Sequence, residues 1–436
     1  MTRSLVVGLG IAGASAARRM AQRGWDVVVV EDRPSPASRE RAARLGDVTV
    51  VEAPSRDALE QLVDAAEVVV PSPGVPIGHG AIQRALARRI PVWTEFELVS
   101  RWSAVPMVAI TGTNGKTTVT TLVESMLRGS GLRTAAAGNN DLPLVDAIEE
   151  DLDVIVVEAS SFRLEFTETF HPTVAVWLNF AEDHLDWHPS MAAYAAAKAR
   201  IWAAQSHDDV AVVNAEDEVV MQHARSARSQ IATFGMHEGQ WRVADGFLVG
   251  PQGQLLAVAD LWRSLPHDCT NALAASAAAL HAGADIEAVR SVLRDFRGLP
   301  HRMSLVGDHG GVRWYDDSKA TDPHAALAAV RSFPSAVLIA GGRNKGLDLS
   351  VLASEAGHLR GVVAIGEAGD DVAAAFDGLV PVQRAGSMDD AVRAAASMAA
   401  SGDAVVLSPG CASFDWYRNY GERGDDFARA VRELTG

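Results

Sequence analysis

The chain has 436 residues, long for one domain and enough for two or three. Its 39 basic against 55 acidic residues leave a net charge of −16, which argues against a non-specific nucleic-acid binder. No run approaches the ~18 charge-free apolar residues of a membrane span, and two cysteines, Cys269 and Cys411, are too few for a disulfide framework and indicate a reducing compartment.

In chain order, residues 1–95 read as a small parallel α/β domain. Its strands fall at 5–9, 26–30, 48–51 and 67–70, with helices at 16–23, 39–45 and 57–65. The start, Arg3 and the apolar run after it, imitates a signal peptide. Gly8, Gly10 and Gly13 suit a strand-to-helix turn better, so a cytoplasmic protein is expected. Gly8-Leu-Gly-Ile-Ala-Gly13, with Glu31 and Asp32 following, fits a dinucleotide fingerprint. The domain is short for a whole dinucleotide fold and a second cradle follows, so another phosphate-bearing ligand fits better. Ser72-Pro-Gly-Val-Pro76 ends the fourth strand with a rigid loop, where open α/β sheets bind ligands.

Residues 96–299 read as a second α/β domain with strands at 108–110, 154–157, 174–178 and 210–213. Its centre is Met107-Val-Ala-Ile-Thr-Gly-Thr-Asn-Gly-Lys-Thr-Thr118, a buried strand that turns through Gly112 and Gly115 into a helix at 119–128. Such a turn aims unpaired backbone N–H groups and a helix dipole at one spot, a natural anion site. Lys116 supplies charge for terminal phosphates and the Thr117 hydroxyl a magnesium ligand. Ile110 stands where the first glycine of the usual motif would be. Glu158, at the end of its strand, suits magnesium. His184, among Glu182, Asp183 and Asp186, is a candidate second-metal ligand, an acidic surface loop being the alternative. Lys198 lies in a helix-favouring stretch capped by Ser190 and shares a face with Tyr194. A snorkelling lysine is the plainer account of that spacing; a desolvated neutral amine that takes up carbon dioxide as a metal-binding carbamate is the other. Short turn-rich pieces at 241–243, 246–249 and 254–258 read as an antiparallel excursion, followed by a helix at 271–282.

Residues 300–436 read as a third domain with a parallel sheet of strands at 312–315, 336–340, 362–365 and 404–407. Arg302, after a short linker, could reach phosphate charge. Trp314-Tyr-Asp-Asp-Ser-Lys-Ala-Thr321 gathers acids, a lysine and hydroxyls at a strand end, as ligand sites do. No heptad run, charge block or repeat occurs.

Together these residues resemble the Mur ligases, the ATP-dependent amide-forming enzymes of peptidoglycan precursor synthesis. The resemblance spans the chain and rests on Thr111 to Thr117, Glu158-Ala-Ser-Ser161, Asn179 to His184, Lys198, Asn271, His301-Arg302, Asp317-Ser-Lys-Ala-Thr321 and Ser408-Pro-Gly-Cys-Ala-Ser-Phe-Asp415. It implies a three-domain α/β architecture: an N-terminal Rossmann-like domain for the UDP substrate, a central P-loop ATPase domain, and a C-terminal Rossmann-like domain for the amino acid. It implies transfer of glutamate, the D-isomer first, to UDP-N-acetylmuramoyl-L-alanine through an acyl phosphate, with domain closure around three substrates. A relative adding L-glutamate, a folate polyglutamylating ligase and an NAD-dependent oxidoreductase are the alternatives.

By the same resemblance Gly10, Ile11, Asp32, Arg33, Gly74 and Asn139 hold the UDP substrate, with His184 touching it. Gly112, Thr113, Asn114, Gly115, Lys116, Thr117, Thr118, Asn271, Arg302 and Asp317 hold ATP. Thr117 and Glu158 take one magnesium ion, and His184 with carbamylated Lys198 a second. Lys319, Thr321, Lys345, Ser413, Phe414 and Tyr420 hold glutamate. Small-molecule substrates, no nucleic acid, no membrane and a monomer are expected. Asp141, Arg163 (where glutamine is usual) and Asp322 (where asparagine is common) depart from the family pattern.

Overall fold

The computed structural model describes residues 2–140, 142–185 and 187–435. Asp141 and Asp186 lie outside the described residues. The first sheet comprises β1 (Arg3–Val7), β2 (Asp26–Glu31), β3 (Thr49–Glu52) and β4 (Val68–Pro71), all parallel in the order β3-β2-β1-β4. Its central strands bury valine and leucine on both faces, as a helix-covered parallel sheet requires. Four strands fall short of the two halves of a dinucleotide fold. The first helix, Ile11–Gln22, starts earlier than its apolar spacing suggested, because small residues let its first turn sit on the sheet. A Cβ on Gly13 would stand 2.2 Å from both the Gly8 carbonyl oxygen and Ser72 Oγ.

The second sheet has six parallel strands: β5 (Met107–Thr111), β6 (Thr134–Gly138), β7 (Val154–Glu158), β8 (Val174–Trp177), β9 (Val210–Asn214) and β10 (Gln230–Phe234). Their order is β10-β9-β8-β5-β7-β6, so the nucleotide-loop strand β5 is central. Alternate β5 side chains serve opposite cores: Val108 and Ile110 meet Val119, Leu122 and Met126 of the following helix, while Met107 and Ala109 join Ile155, Val157 and Trp177. The expected excursion is an antiparallel sheet of β11 (Arg242–Ala244), β12 (Phe247–Gly250) and β13 (Gly253–Ala257).

The third sheet is β14 (Ser304–His309), β15 (Val312–Asp316), β16 (Ala336–Gly341), β17 (Leu359–Ile365), β18 (Val382–Ala385) and β19 (Ala404–Leu407), ordered β14-β15-β19-β16-β17-β18. The expectation of a wholly parallel sheet is corrected here: β14 runs antiparallel to β15. Gly310 and Gly311, both at positive φ, supply the two-residue turn that joins them.

The chain forms two compact units, Met1–Phe180 with Trp187–Ser264 and Asp268–Phe296, and Arg297–Gly436 with Ala181–Asp186 and Leu265–His267. Within the first, Arg18 and Arg19 on the first helix both bond Asp146, Arg18 through two 2.9 Å contacts and Arg19 through one of 2.6 Å. Asp146 lies on the short helix Leu144–Ala147 beside the second sheet, so these bonds tie the two sheets together. Cys269 and Cys411 are buried free thiols, pushed up by burial to about 11 and about 12. Among the described residues no helix is long and apolar enough to cross a membrane.

Candidate functional site

The turn after β5 is built around two glycines whose positive φ other residues adopt only at a cost. Gly112 has φ +154° and Gly115 φ +85°, and a Cβ on Gly115 would stand 2.6 Å from Asn271 Oδ1. The helix Lys116–Gly129 starts from Gly115 with no side chain capping it, which leaves its N-terminal dipole for a ligand. Asn179, just beyond β8, clamps the loop: its Oδ1 accepts from the Thr113 and Asn114 N–H groups at 3.1 and 2.9 Å. Its amide donates back to the Asn114 carbonyl at 3.1 Å. The sequence pattern placed Asn179 in a motif without this role.

Two ammonium groups converge on one loop oxygen. Lys116 Nζ donates to the Gly112 and Thr113 carbonyls at 2.9 and 2.8 Å. Lys198 Nζ donates to the same Gly112 carbonyl at 2.7 Å. Lys198 is 1% exposed and its Nζ lies 4.5 Å from the Tyr194 ring centroid. The Tyr194 hydroxyl stands 3.3 Å from Thr113 Oγ1. Ser190 caps the lysine's helix as expected, accepting from the Ala193 N–H at 3.2 Å.

Glu158 ends β7 in register with Ile110 of β5 and Gly138 of β6, at the carboxyl edge where the loop opens. It is 3% exposed and accepts a 2.9 Å bond from Asn139 Nδ2. Thr117 and Thr118 begin the helix, Thr118 buried and Thr117 half-buried. The buried Thr111 hydroxyl at the mouth of the loop has no hydrogen-bond partner. Among the described residues no three His, Cys, Asp or Glu side chains cluster to hold a metal unaided. Thr117 and Glu158 both stand at the carboxyl edge of the sheet beside the glycine turn, a hydroxyl and a carboxylate of the oxygen type that magnesium takes.

A cavity of about 460 Å³ opens beside the Gly8–Gly13 turn, and Gly10, Ile11, Gly74 and Asn139 all line it. Asp32 and Arg33 do not line it, whereas Glu31 does. Glu31 accepts from the Leu9 and Arg33 N–H groups at 2.8 and 3.0 Å. Asp32 instead meets His79 Nε2 at 2.6 Å. Asn139 joins this cavity to Glu158. The cavity also takes in Arg163, whose guanidinium forms a buried ion pair with Glu95.

In the second unit Asp317 accepts from the Met303 N–H at 3.1 Å and from the Ser408 hydroxyl at 2.8 Å. Lys319 Nζ sits 4.0 Å from the Tyr420 ring centroid. Ser413 is buried, Lys345, Arg302 and Thr321 half-buried, and Phe414 60% exposed. Asp322 proves to be an N-cap, accepting from the Ala325 N–H at 2.9 Å, a task asparagine performs equally well. His184 has φ +56° and its Nε2 lies 3.2 Å from Asp183. One residue had no signal in the sequence pattern. Arg423 is 2% exposed and donates to the Ser318 hydroxyl and the Ser318 and Cys411 carbonyls, at 2.9, 2.8 and 3.1 Å. It joins the acidic cluster after β15 to the turn that carries Ser413; burial lowers it to about 10.

Three family models match in succession: the Mur ligase MurD-like N-terminal domain over residues 2–94, the Mur ligase middle domain over 110–279, and the Mur ligase glutamate ligase domain over 301–411. A UDP-N-acetylmuramoylalanine–D-glutamate ligase of Frankia casuarinae is 44% identical, the match covering 99% of this chain and 94% of that one. The ligase of the same name from Desulfosudis oleivorans is 40% identical, with 99% and 96% covered. Among solved structures, a pseudomurein peptide ligase type C from Methanothermus fervidus matches with a TM-score of 0.62 at 17% identity over the full length of both chains, a likeness of fold. The glycine loop, its lysines and the edge carboxylate thus stand in a chain that belongs to the Mur ligase family.

Proposed function

We propose that this protein is an ATP-dependent, ADP-forming ligase that joins D-glutamate to UDP-N-acetylmuramoyl-L-alanine, in cytoplasmic peptidoglycan precursor synthesis. The observation that carries the reading is the glycine loop with Lys116 at its centre and Glu158 at its rim. Residues 1–95, 96–299 and 300–436 serve as the acceptor, ATP and amino-acid domains.

The acceptor lies along the cavity at Gly10, Ile11, Gly74 and Asn139, with Asp32 and Arg33 at its nucleotide end. Its terminal carboxylate oxygen attacks the γ-phosphorus of ATP; the bond to the β,γ-bridging oxygen breaks, and ADP leaves. Lys116, held over the loop by two carbonyls, meets the charge that moves to the leaving oxygen. Loop N–H groups from Gly112 to Thr118 orient the phosphates, with Asn271, Arg302 and Asp317 contributing to nucleotide binding. The neutral amine of glutamate then attacks the acyl-phosphate carbonyl, phosphate departs, and the amine loses a proton as the amide forms. Lys319 and Lys345 match the two carboxylates of glutamate, with Thr321, Ser413, Phe414 and Tyr420 shaping its pocket.

Magnesium supplies charge neutralisation on the phosphates when bound. Thr117 and Glu158 would hold one ion; His184 and a carbamate on Lys198 would hold a second. Burial of Lys198 beside Tyr194 supports a lysine in use rather than a snorkelling one. The enzyme works as a monomer on small molecules.

Phosphate release with ATP, UDP-N-acetylmuramoyl-L-alanine and each enantiomer of glutamate tests this. Release is expected with D-glutamate and abolished in K116A. Release with L-glutamate alone would overturn the stereochemistry; none with either would overturn the reaction.

A further inference from the structure

Arg423 is a buried cation that no step above uses. It lies on the helix Tyr420–Thr435, 2% exposed, and burial lowers its pKa to about 10, so it stays charged at neutral pH. Its fork is fully engaged. Nε donates to the Ser318 hydroxyl at 2.9 Å, Nη2 to the Ser318 carbonyl at 2.8 Å, and Nη1 to the Cys411 carbonyl at 3.1 Å. None of these acceptors is a carboxylate. Desolvating a guanidinium for three neutral oxygens is unfavourable, and an apolar side chain would fill the space with a smaller penalty. What the guanidinium provides in return is donation in several fixed directions at once.

Those directions end on the loops at the carboxyl edge of the third sheet. Ser318 directly precedes Lys319 in the loop after β15, and its hydroxyl passes the contact on by donating to the Tyr420 carbonyl at 2.8 Å. Lys319 Nζ in turn rests 4.0 Å from the Tyr420 ring centroid. Cys411 lies two residues before Ser413 in the loop after β19. A further neighbour is Gly342, three residues before Lys345 in the loop after β16. It has φ +130°, and a Cβ there would stand 3.1 Å from Arg423 Nη1. Backbone bonds hold the roots of the same loops, between Arg343 and Ala412 at 2.8 and 3.0 Å and from Gly410 to Ala320 at 3.0 Å. One guanidinium thus packs against all three loops that carry Lys319, Lys345 and Ser413, from the helix that begins with Tyr420.

We propose that Arg423 is the positioning residue of the glutamate pocket: its donors stay on the protein, and they set Lys319, Lys345, Ser413 and Tyr420 at the separations that the two carboxylates of the amino acid require. The inference rests on the assignment of those four residues to glutamate above, and goes beyond it by naming what holds them in register. The contrary view is that Arg423 only fastens loops together for stability.

Steady-state phosphate release by the intact enzyme, with each substrate varied in turn, separates these views. A structural joint changes how much of the enzyme is folded, which lowers the apparent kcat and leaves every KM alone. A positioning residue moves the KM of one substrate. R423K keeps the charge but gives up the fork, and it should raise the KM for D-glutamate about tenfold, with those for ATP and the UDP-linked acceptor within about twofold of wild type. S318A, which deletes the Nε acceptor and the link to Tyr420, should raise the same KM about threefold, and it decides the matter if R423K does not fold. A glutamate KM within about twofold of wild type in the folded variant, or an equal rise in all three KM values, overturns the proposal. A lower melting temperature with unchanged KM likewise marks a structural joint. If wild-type enzyme turns over with L-glutamate alone, the stereochemistry changes and the same KM comparison is made with that isomer. If it releases no phosphate with either, the ligase reading fails and this proposal with it.

Discussion

The Gly112 carbonyl is the point on which the residue-scale chemistry turns. Two cations donate to it, Lys116 at 2.9 Å and Lys198 at 2.7 Å, and at that separation they repel one another. Carbamylation would invert one of the two charges and replace repulsion with attraction, a local reason for Lys198 to carry the group. A K198A variant should accordingly lose about two orders of magnitude in turnover, with acetate or formate restoring part of it by standing in for the carbamate. Steady-state phosphate release with and without the added carboxylate measures this, and absence of rescue in folded protein removes the carbamate from the mechanism. The helix placed Lys198 and Tyr194 on one face already in the sequence. What the sequence could not disclose was the oxygen that Lys198 meets, because Gly112 is 86 positions away along the chain.

At the scale of elements, the strand–glycine–helix unit was readable because its parts are local: a buried apolar run, two glycines, a lysine and an amphipathic helix. The loop depends on Gly115 most. A G115A variant meets Asn271 Oδ1 and must hold a left-handed backbone at a cost of about 1–2 kcal/mol; ATP affinity should fall at least about tenfold, with UDP affinity unchanged, in parallel titrations of the two nucleotides. Elements whose partners are distant were harder to read. The edge strand β6 is Thr-Ala-Ala-Ala-Gly, with one β-branched residue, and it is a strand because β7 hydrogen-bonds it. β18 is likewise a short edge held by β17, and β10 an edge held by β9 with one bridge from Trp241. β14 announces itself only through Gly310-Gly311, a turn signal whose hairpin reverses the edge of an otherwise parallel sheet. The site divides the same way. Gly10 and Gly74 stand in turns legible from neighbouring residues and Asn139 came only with the family resemblance, while Glu95 with Arg163, and Arg423 with Ser318, are pairings across the fold.

For the whole molecule, the bonds from Arg18 and Arg19 to Asp146 matter because they join the first and second sheets within one unit. Burial alone would raise the Asp146 carboxyl, but hydrogen bonds from Arg19, Ser15 and Arg18 outweigh it and hold its pKa below the usual carboxylate range. A depressed folded pKa contributes stability that is present above the ordinary value of about 4 and lost as pH falls through the folded value. D146N should therefore cost about 2 kcal/mol near neutrality, with the difference from wild type shrinking in acid below that ordinary value. Urea unfolding of both proteins at neutral and acid pH checks the sign; a gap that widened on acidification would contradict it.

The two sulfhydryls have a practical consequence at this same scale. Cys269 and Cys411 are walled in, and burial keeps both protonated far above neutrality. The native surface is thus silent toward maleimides and iodoacetamides, and a cysteine introduced at any exposed position is the one a dye would mark. Fluorophores can be attached in pairs, one on each unit, without first engineering the natural sulfurs away.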